Sequence, residues 1–248
     1  MQLNHFFTKN PRVAVAFSGG VDSSYLLYAA KTAGCNIRAY FIKSQFQPRL
    51  ELDDAIRVAG RLGIALTVDA LNALDDPDVA NNPPDRCYHC KTIILCRLRE
   101  LARTDGFEIL CDGTNADDDE SDRPGMRALR EQGVISPLRD CGLTKAEIRR
   151  LSKEAGLFTH DKPSYACLAT RIPYGTRITV RMLERIERSE EALFNMGFSD
   201  YRVRLVPPDG AKIQLPDNQL ETAAAMRSEI LSALRPGFKT VVLDLIPR

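Results

Sequence analysis

The chain has 248 residues, 44% of them hydrophobic and 27% charged, enough for one α/β domain with or without a small companion. A formal net charge of +1 gives no reason to expect a nucleic-acid or membrane-surface partner, and no apolar run approaches the roughly 18 residues that a membrane span needs. The start of the chain lacks the basic-then-apolar pattern of a secretory signal. The seven cysteines are odd in number and spread among helix and strand patterns, so a reduced compartment, the cytosol, is expected rather than a disulfide framework.

Taken in order, Arg12 to Phe17 reads as a buried strand, followed by a glycine turn and a helix that Gly34 stops. A second strand is predicted at Ile37 to Ile42, a helix carrying Leu52, Ala55, Ile56, Ala59 and Leu62, and a third strand at Ile64 to Val68. Asp75 to Asp85, rich in Asp, Asn and Pro, is expected to be a long surface loop. A helix at Cys87 to Ala102, a strand at Phe107 to Cys111 and an acidic loop from Asn115 to Asp122 follow; Thr144 and Glu147 have the spacing of a capping box. This β-α-β-α order predicts an α/β fold, a parallel sheet with helices on both faces.

Beyond about Ile172 the order becomes αββαβ, with helices at Arg181 to Met196 and Gln219 to Leu234, and strands at Tyr201 to Val206, Ala211 to Leu215 and Lys239 to Leu245. That suits a small C-terminal α+β lobe with a mixed or antiparallel sheet. The expected domains are 1–172 and 173–248.

Between the first strand and its helix stands Ser18-Gly19-Gly20-Val21-Asp22-Ser23-Ser24. Two glycines let the backbone approach a ligand and converge its N–H groups, and the helix start adds unsatisfied donors and a positive dipole end. The hydroxyls of Ser18, Ser23 and Ser24 add donors, and Asp22 can hold magnesium or cap the turn. The segment lacks the lysine of GxxxxGK[ST] and the spacing of a dinucleotide site. A plain strand-to-helix turn is the alternative reading.

S-G-G-x-D-S after a first strand resembles the signature of the PP-loop ATP pyrophosphatases, whose fold is that of the adenine nucleotide α-hydrolases. The resemblance implies ATP bound through Ser18, Gly19, Gly20, Asp22 and Ser23, and a substrate adenylated with release of pyrophosphate. Three further segments, Pro84 to Lys91, Asp112 to Asp118 and Asp161 to Gly175, together with Arg202-Val203-Arg204, are similar to the LarE-type ATP-dependent sulfurtransferases of lactate racemase cofactor maturation. That resemblance runs over nearly the whole chain. It implies that a carboxylate of a pyridinium dicarboxylate mononucleotide is adenylated and converted to a thiocarboxylate on the way to the nickel-pincer nucleotide.

Cys167 lies in a polar, Gly- and Pro-bearing segment between the two expected lobes, flanked by Lys162 and Arg171, whose charges favour a thiolate. It reads either as the sulfur-bearing group or as a packed linker cysteine. Cys87 and Cys90, three apart at a helix start, put both thiols on one side; zinc, a redox dithiol, cluster ligation and a structural role all fit such a pair. The resemblance matches Cys87, Cys90 and Cys167 to a branch in which three cysteines hold a [4Fe-4S] cluster, and Cys167 alone to a branch in which the cysteine gives up its sulfur. Cys35, Cys96, Cys111 and Cys141 read as ordinary small apolar residues.

Asp112, Gly113, Thr114, Asn115 and Asp118 follow the fourth strand, at the end where open α/β sheets bind ligands, and are assigned to nucleotide or magnesium, as is Arg171 to the nucleotide. Asp118, Asp119 and Glu120 read equally as a solvated loop, and Arg123, Arg127 and Arg130 as a charged helix face. Glu190 falls on the buried seam of its helix, and Arg202 and Arg204 share one face of the next strand. They form either a buried ion pair or, as the resemblance implies, a site for the substrate phosphate. A small nucleotide substrate, a homo-oligomer, no nucleic acid and no membrane are expected. A tRNA-thiolating enzyme and a non-catalytic nucleotide-binding module are the competing readings.

Overall fold

The computed structural model describes residues 3–118 and 124–248. In chain order the elements are α1 (Leu3–Lys9), β1 (Arg12–Ala16), α2 (Val21–Thr32), β2 (Asn36–Lys43), α3 (Arg49–Leu62), β3 (Leu66–Ala70), α4 (Pro77–Ala80), α5 (Arg86–Thr104) and β4 (Leu110–Cys111). Then come α6 (Pro124–Glu131), α7 (Pro137–Asp140), α8 (Lys145–Glu154), α9 (Val180–Asn195), β5 (Arg202–Val206), β6 (Gly210–Gln214), α10 (Leu220–Ala225), α11 (Arg227–Leu234) and β7 (Thr240–Leu243). The chain divides into two compact units. One holds the residues up to Ala73 with Asp85–Lys162, the other Leu74–Pro84 with Pro163–Arg248.

The first unit is built on an all-parallel sheet of order β3-β2-β1-β4. Both faces are covered, which is why its central strands are apolar almost throughout rather than alternating. The pleat sends Val13, Val15, Ala39 and Phe41 into one core with α1, α2, α3, α7 and α8. Ala14, Tyr40 and Ile42 enter the other, under α5 and α6. The chain leaves β1 towards β2 on one side and returns to β4 on the other. The ends of β1 and β4 therefore diverge at a topological switch point, where the loops after both strands face a common crevice.

The second unit carries a mixed sheet, β5 antiparallel to β6 and β6 parallel to β7, with α9 packed against β5 and α11 against α9. Leu183, Ile186 and Leu193 of α9 are buried, with Val203 and Ile213 of the sheet and Ile230 and Leu234 of α11 among the other buried residues.

Several local expectations are corrected. The stretch after Asp75 is not a surface loop: Val79, Ala80 and Asn82 are buried, and their segment is tied to 172–178 by Gly175 N–H to Asn82 O (2.9 Å) and Ile178 N–H to Ala80 O (2.7 Å). Those bonds place Leu74–Pro84 in the second unit. The third strand runs two residues later than its apolar run, and only Leu110–Cys111 of the fourth is paired. The helix foreseen at Gln219 to Leu234 breaks at Met226, among good helix formers, so propensity does not account for the break. Cys96 is exposed and Cys141 half-buried, whereas Cys35 and Cys111 are buried apolar residues as read. Asp119, Glu120 and Arg123 lie outside the described residues.

The capping box at α8 forms as foreseen: Thr144 Oγ1 accepts from Glu147 N (3.3 Å), and Glu147 Oε2 accepts from Thr144 N (2.9 Å). Backbone hydrogen bonding to Glu147 holds its carboxyl below the usual range. Thr144→Ala is expected to lower the unfolding free energy by about 1 kcal/mol in urea denaturation; an unchanged midpoint would show that the cap contributes nothing.

Candidate active site

In the first unit the loop after β1 closes tightly on its surroundings. Gly19 has φ +71°, and a Cβ there would stand 2.8 Å from Glu51 O and 3.0 Å from Ala55 N of α3. Both the handedness of the turn and the close helix backbone require glycine. Gly20 is extended and serves as the N-cap of α2, with no side chain capping the helix. The first backbone N–H groups of α2 thus stay available to an anion. Ser18 Oγ and Ser23 Oγ lie 3.1 Å apart, and Ser23 Oγ also bonds Gly20 O (3.4 Å). Ser18 is exposed; Ser24 is sealed from solvent, its Oγ without a hydrogen bond.

The loop after β4 is pressed against the start of α2. A Cβ on Gly113 would be 2.8 Å from Ser23 N, so this glycine works by leaving out a side chain. Asp112 is mostly spent on bracing the turn, accepting from Ser136 Oγ (2.6 Å) and from Thr114 N (3.3 Å) and Oγ1 (2.5 Å). Asn115 Oδ1 accepts from Asp117 N (2.9 Å), and Asp118 Oδ2 accepts from Asn115 N (3.1 Å). Asp112, Thr114 and Asn115 are all buried, so the sequence-predicted residues of this loop shape the crevice as much as they line it.

Asp22, in the first turn of α2, bonds through Oδ2 to Lys145 Nζ, while its buried Oδ1 has no hydrogen bond. Burial raises the Asp22 pKa and the Asp118 charge adds to the rise, against the opposing pull of Lys145. An orphaned carboxylate oxygen beside an anion-binding turn suits a magnesium ion carried in with a nucleotide. Lys145 was missed in the sequence. Its signal was available: it is the first residue of α8, where a cation meets the positive end of the helix dipole, at a cost of about 0.3–1 kcal/mol.

In the second unit Cys167 is half-buried at the head of the 3-10 turn Leu168–Arg171. The two cations flanking it in sequence are engaged elsewhere. Lys162, in the first unit, pairs with Asp54 (2.6 Å). Arg171, 1% exposed, grips Glu190 through Nε–Oε1 (2.7 Å) and Nη2–Oε2 (3.2 Å). Glu190 Oε1 also accepts from Val203 N (2.9 Å), and Oε2 from Tyr165 Oη. Burial, then Glu190, push the Tyr165 phenol above its usual range, so it remains a donor.

Arg202 and Arg204 spend their donors on neutral groups. Arg202 bonds Tyr201 O (2.6 Å) and Ser164 O (2.7 Å), with Asp200 at 3.8 Å. Arg204 bonds Thr170 O (2.7 Å) and Gln214 Oε1. Burial and the charges of Arg171 and Arg248 push the Arg202 pKa down to about 10 and also lower Arg204. The buried carboxylate of Glu190 is gripped by Arg171, and the further carboxylate beside this corner, Asp200, is shared between Arg202 (3.8 Å) and Arg248 (3.1 Å), so arginines outnumber the acids here.

Cys87 and Cys90 stand half-buried near the start of α5, with Arg86 Nη2 3.5 Å from Cys87 Sγ. Among the described residues no three or more His, Cys, Asp or Glu side chains gather to hold a metal ion, and no helix is long and apolar enough to cross a membrane.

Removing one member of a buried ion pair strands the other charge. Glu190→Ala is expected to cost about 3–5 kcal/mol of stability, and Tyr165→Phe about 1 kcal/mol. Denaturant titration checks the order, and a cost for Glu190→Ala no greater than for Tyr165→Phe would contradict it.

A family model described as the tRNA methyl transferase HUP domain matches residues 11–74, the span from β1 to just past β3. The chain is 37% identical over 247 residues to an uncharacterized protein of Synechocystis sp., covering 98% of this chain and 92% of that protein. It is 32% identical over 237 residues to the pyridinium-3,5-bisthiocarboxylic acid mononucleotide synthase of Lactiplantibacillus plantarum, covering 94% of this chain and 86% of that one. A tRNA-specific 2-thiouridylase of Hahella chejuensis is 27% identical over 188 residues, covering 62% of this chain and 52% of that enzyme. With a lysine-free phosphate loop at the β1–β4 switch point and this near-full-length likeness, the chain belongs to the LarE-type ATP-dependent sulfurtransferases of the PP-loop superfamily.

Proposed function

We propose that this enzyme uses ATP to activate a carboxylate of pyridinium-3,5-dicarboxylate mononucleotide and replaces one of its oxygens with sulfur. The carboxylate oxygen attacks the α-phosphorus of ATP, the α–β bridging bond breaks and pyrophosphate leaves. The resulting acyl adenylate is attacked at carbon by a sulfur nucleophile, AMP departs, and a thiocarboxylate remains. A carboxylate is a poor electrophile, and the mixed anhydride with AMP supplies its leaving group. Ser18, Gly19, Gly20 and Ser23 bind the β and γ phosphates, and Asp22 holds magnesium.

The observation that carries this reading is the arginine pair around Cys167. Arg202 binds the carbonyl of Ser164, three residues before the cysteine, and Arg204 that of Thr170, three residues after. The two guanidinium groups thus tether both ends of the segment bearing the thiol. A mononucleotide phosphate held there in fork geometry would bring its ring towards Cys167.

The sulfur is assigned to a [4Fe-4S] cluster on Cys87, Cys90 and Cys167. The half-buried pair at the start of α5 has the soft thiol chemistry such a cluster would take, and the cluster would supply the sulfur when bound. A sacrificial Cys167 gives no role to Cys87 and Cys90.

Anaerobically purified protein is expected to contain about four irons per chain and to form pyrophosphate and AMP from Mg-ATP and the dicarboxylate nucleotide. ADP and phosphate as main products would refute the reaction class. Arg204→Ala should weaken binding of the substrate nucleotide by about 1.5–3 kcal/mol. Cys87→Ala should lose iron and activity together. A Cys87/Cys90 double variant with full single-turnover activity, an iron-free wild type and a Cys167 mass roughly 34 Da lower, as elimination of hydrogen sulfide requires, would replace the cluster by a sacrificial cysteine.

A further inference from the structure

The phosphate loop Ser18–Ser24 contains no lysine, yet a lysine stands against it. Lys145 is anchored by its backbone: its N–H bonds Asp117 Oδ2 (2.7 Å), and it follows the Thr144 cap of α8. Its Nζ reaches Asp22 on a different helix.

Two features mark this pair as exchangeable rather than purely structural. Only one oxygen of Asp22 is engaged, the other being buried and unbonded. Both side chains stay partly open, at 28% for Lys145 and 21% for Asp22. The neighbourhood is also poised for a change of charge. Asp118 acts on Asp22 as a second negative group, and Gly113 backs onto the same first turn of α2. A polyphosphate arriving at that turn would bring further negative charge beside two carboxylates, and Lys145 is the cation already in contact with it.

We propose that Lys145 is the polyphosphate-binding cation of this loop, exchanging its contact with Asp22 for the β and γ phosphates when magnesium accompanies ATP. The lysine absent from the loop is thus supplied by α8. This rests on reading the loop as the ATP site.

The test is equilibrium binding of an ATP analogue with a methylene bridge between its α and β phosphates, with magnesium, compared with AMP. Lys145→Ala and Lys145→Gln are expected to weaken the analogue by about tenfold or more, as loss of a charge-assisted contact does, while AMP affinity stays within about twofold; Lys145→Arg should recover part of the loss. Equal weakening for both ligands, or none for either, would overturn the proposal. So would unfolding of both neutral variants by circular dichroism, which would make Lys145 a structural partner of Asp22. A wild-type protein that binds neither ligand would instead sink the reading of the loop itself.

Discussion

Backbone meets backbone at the crevice of the first unit, and the rest of the site depends on that contact. Gly113 leaves no room for a side chain against Ser23, and Gly19 leaves none against Glu51 and Ala55 of α3. The start of α2 is therefore wedged between the loop after β4 and the third helix. That wedge keeps the N–H groups of the helix uncapped and aimed at the loop. It also brings Asp22, Asp118 and Lys145 together from three parts of the chain. An anion site made of backbone donors works only if those donors are held apart from other acceptors, and side chains at 19 or 113 would prevent it.

The second unit solves an electrostatic problem in the opposite way. Four arginines, 171, 202, 204 and 248, influence one another around the single buried carboxylate of Glu190. Arg171 takes both oxygens of Glu190, and Tyr165 and Val203 complete its hydrogen bonding. A fully satisfied pair of this kind is costly to break but is a poor ligand site. Arg202 and Arg204 bond carbonyls and an amide oxygen, with Asp200 3.8 Å from Arg202. The same pairing thus sets Arg171, bound to Glu190, apart from Arg202 and Arg204, although from the sequence Arg171 was assigned to the nucleotide and Glu190 was grouped with Arg202 and Arg204 at a substrate phosphate.

Much of the fold was legible because its signals are local. The glycine turn after β1 and the Thr144–Glu147 cap each involve residues within a turn of one another. The apolar strands announce a sheet covered on both faces. Leu74–Pro84 was misread because Asp, Asn and Pro favour irregular backbone, and composition says nothing about which carbonyls that backbone will serve. Asn82 and Ala80 accept from Gly175 and Ile178, roughly a hundred positions away in sequence, and burial follows from those partners.

By itself, the sequence determined the layered α/β unit, the phosphate turn and the identity of the thiols, since these follow from periodicity, backbone handedness and residue chemistry. Tertiary structure decided which charges meet. Arg171 was assigned to nucleotide and Glu190 to phosphate, and packing joined them to each other. Asp22 was read as a metal or capping group, and the parallel sheet delivered Lys145 to it across 123 positions. A charge has no preferred partner at the level of spacing; its partner is whichever opposite charge the packed elements carry within reach while water is excluded.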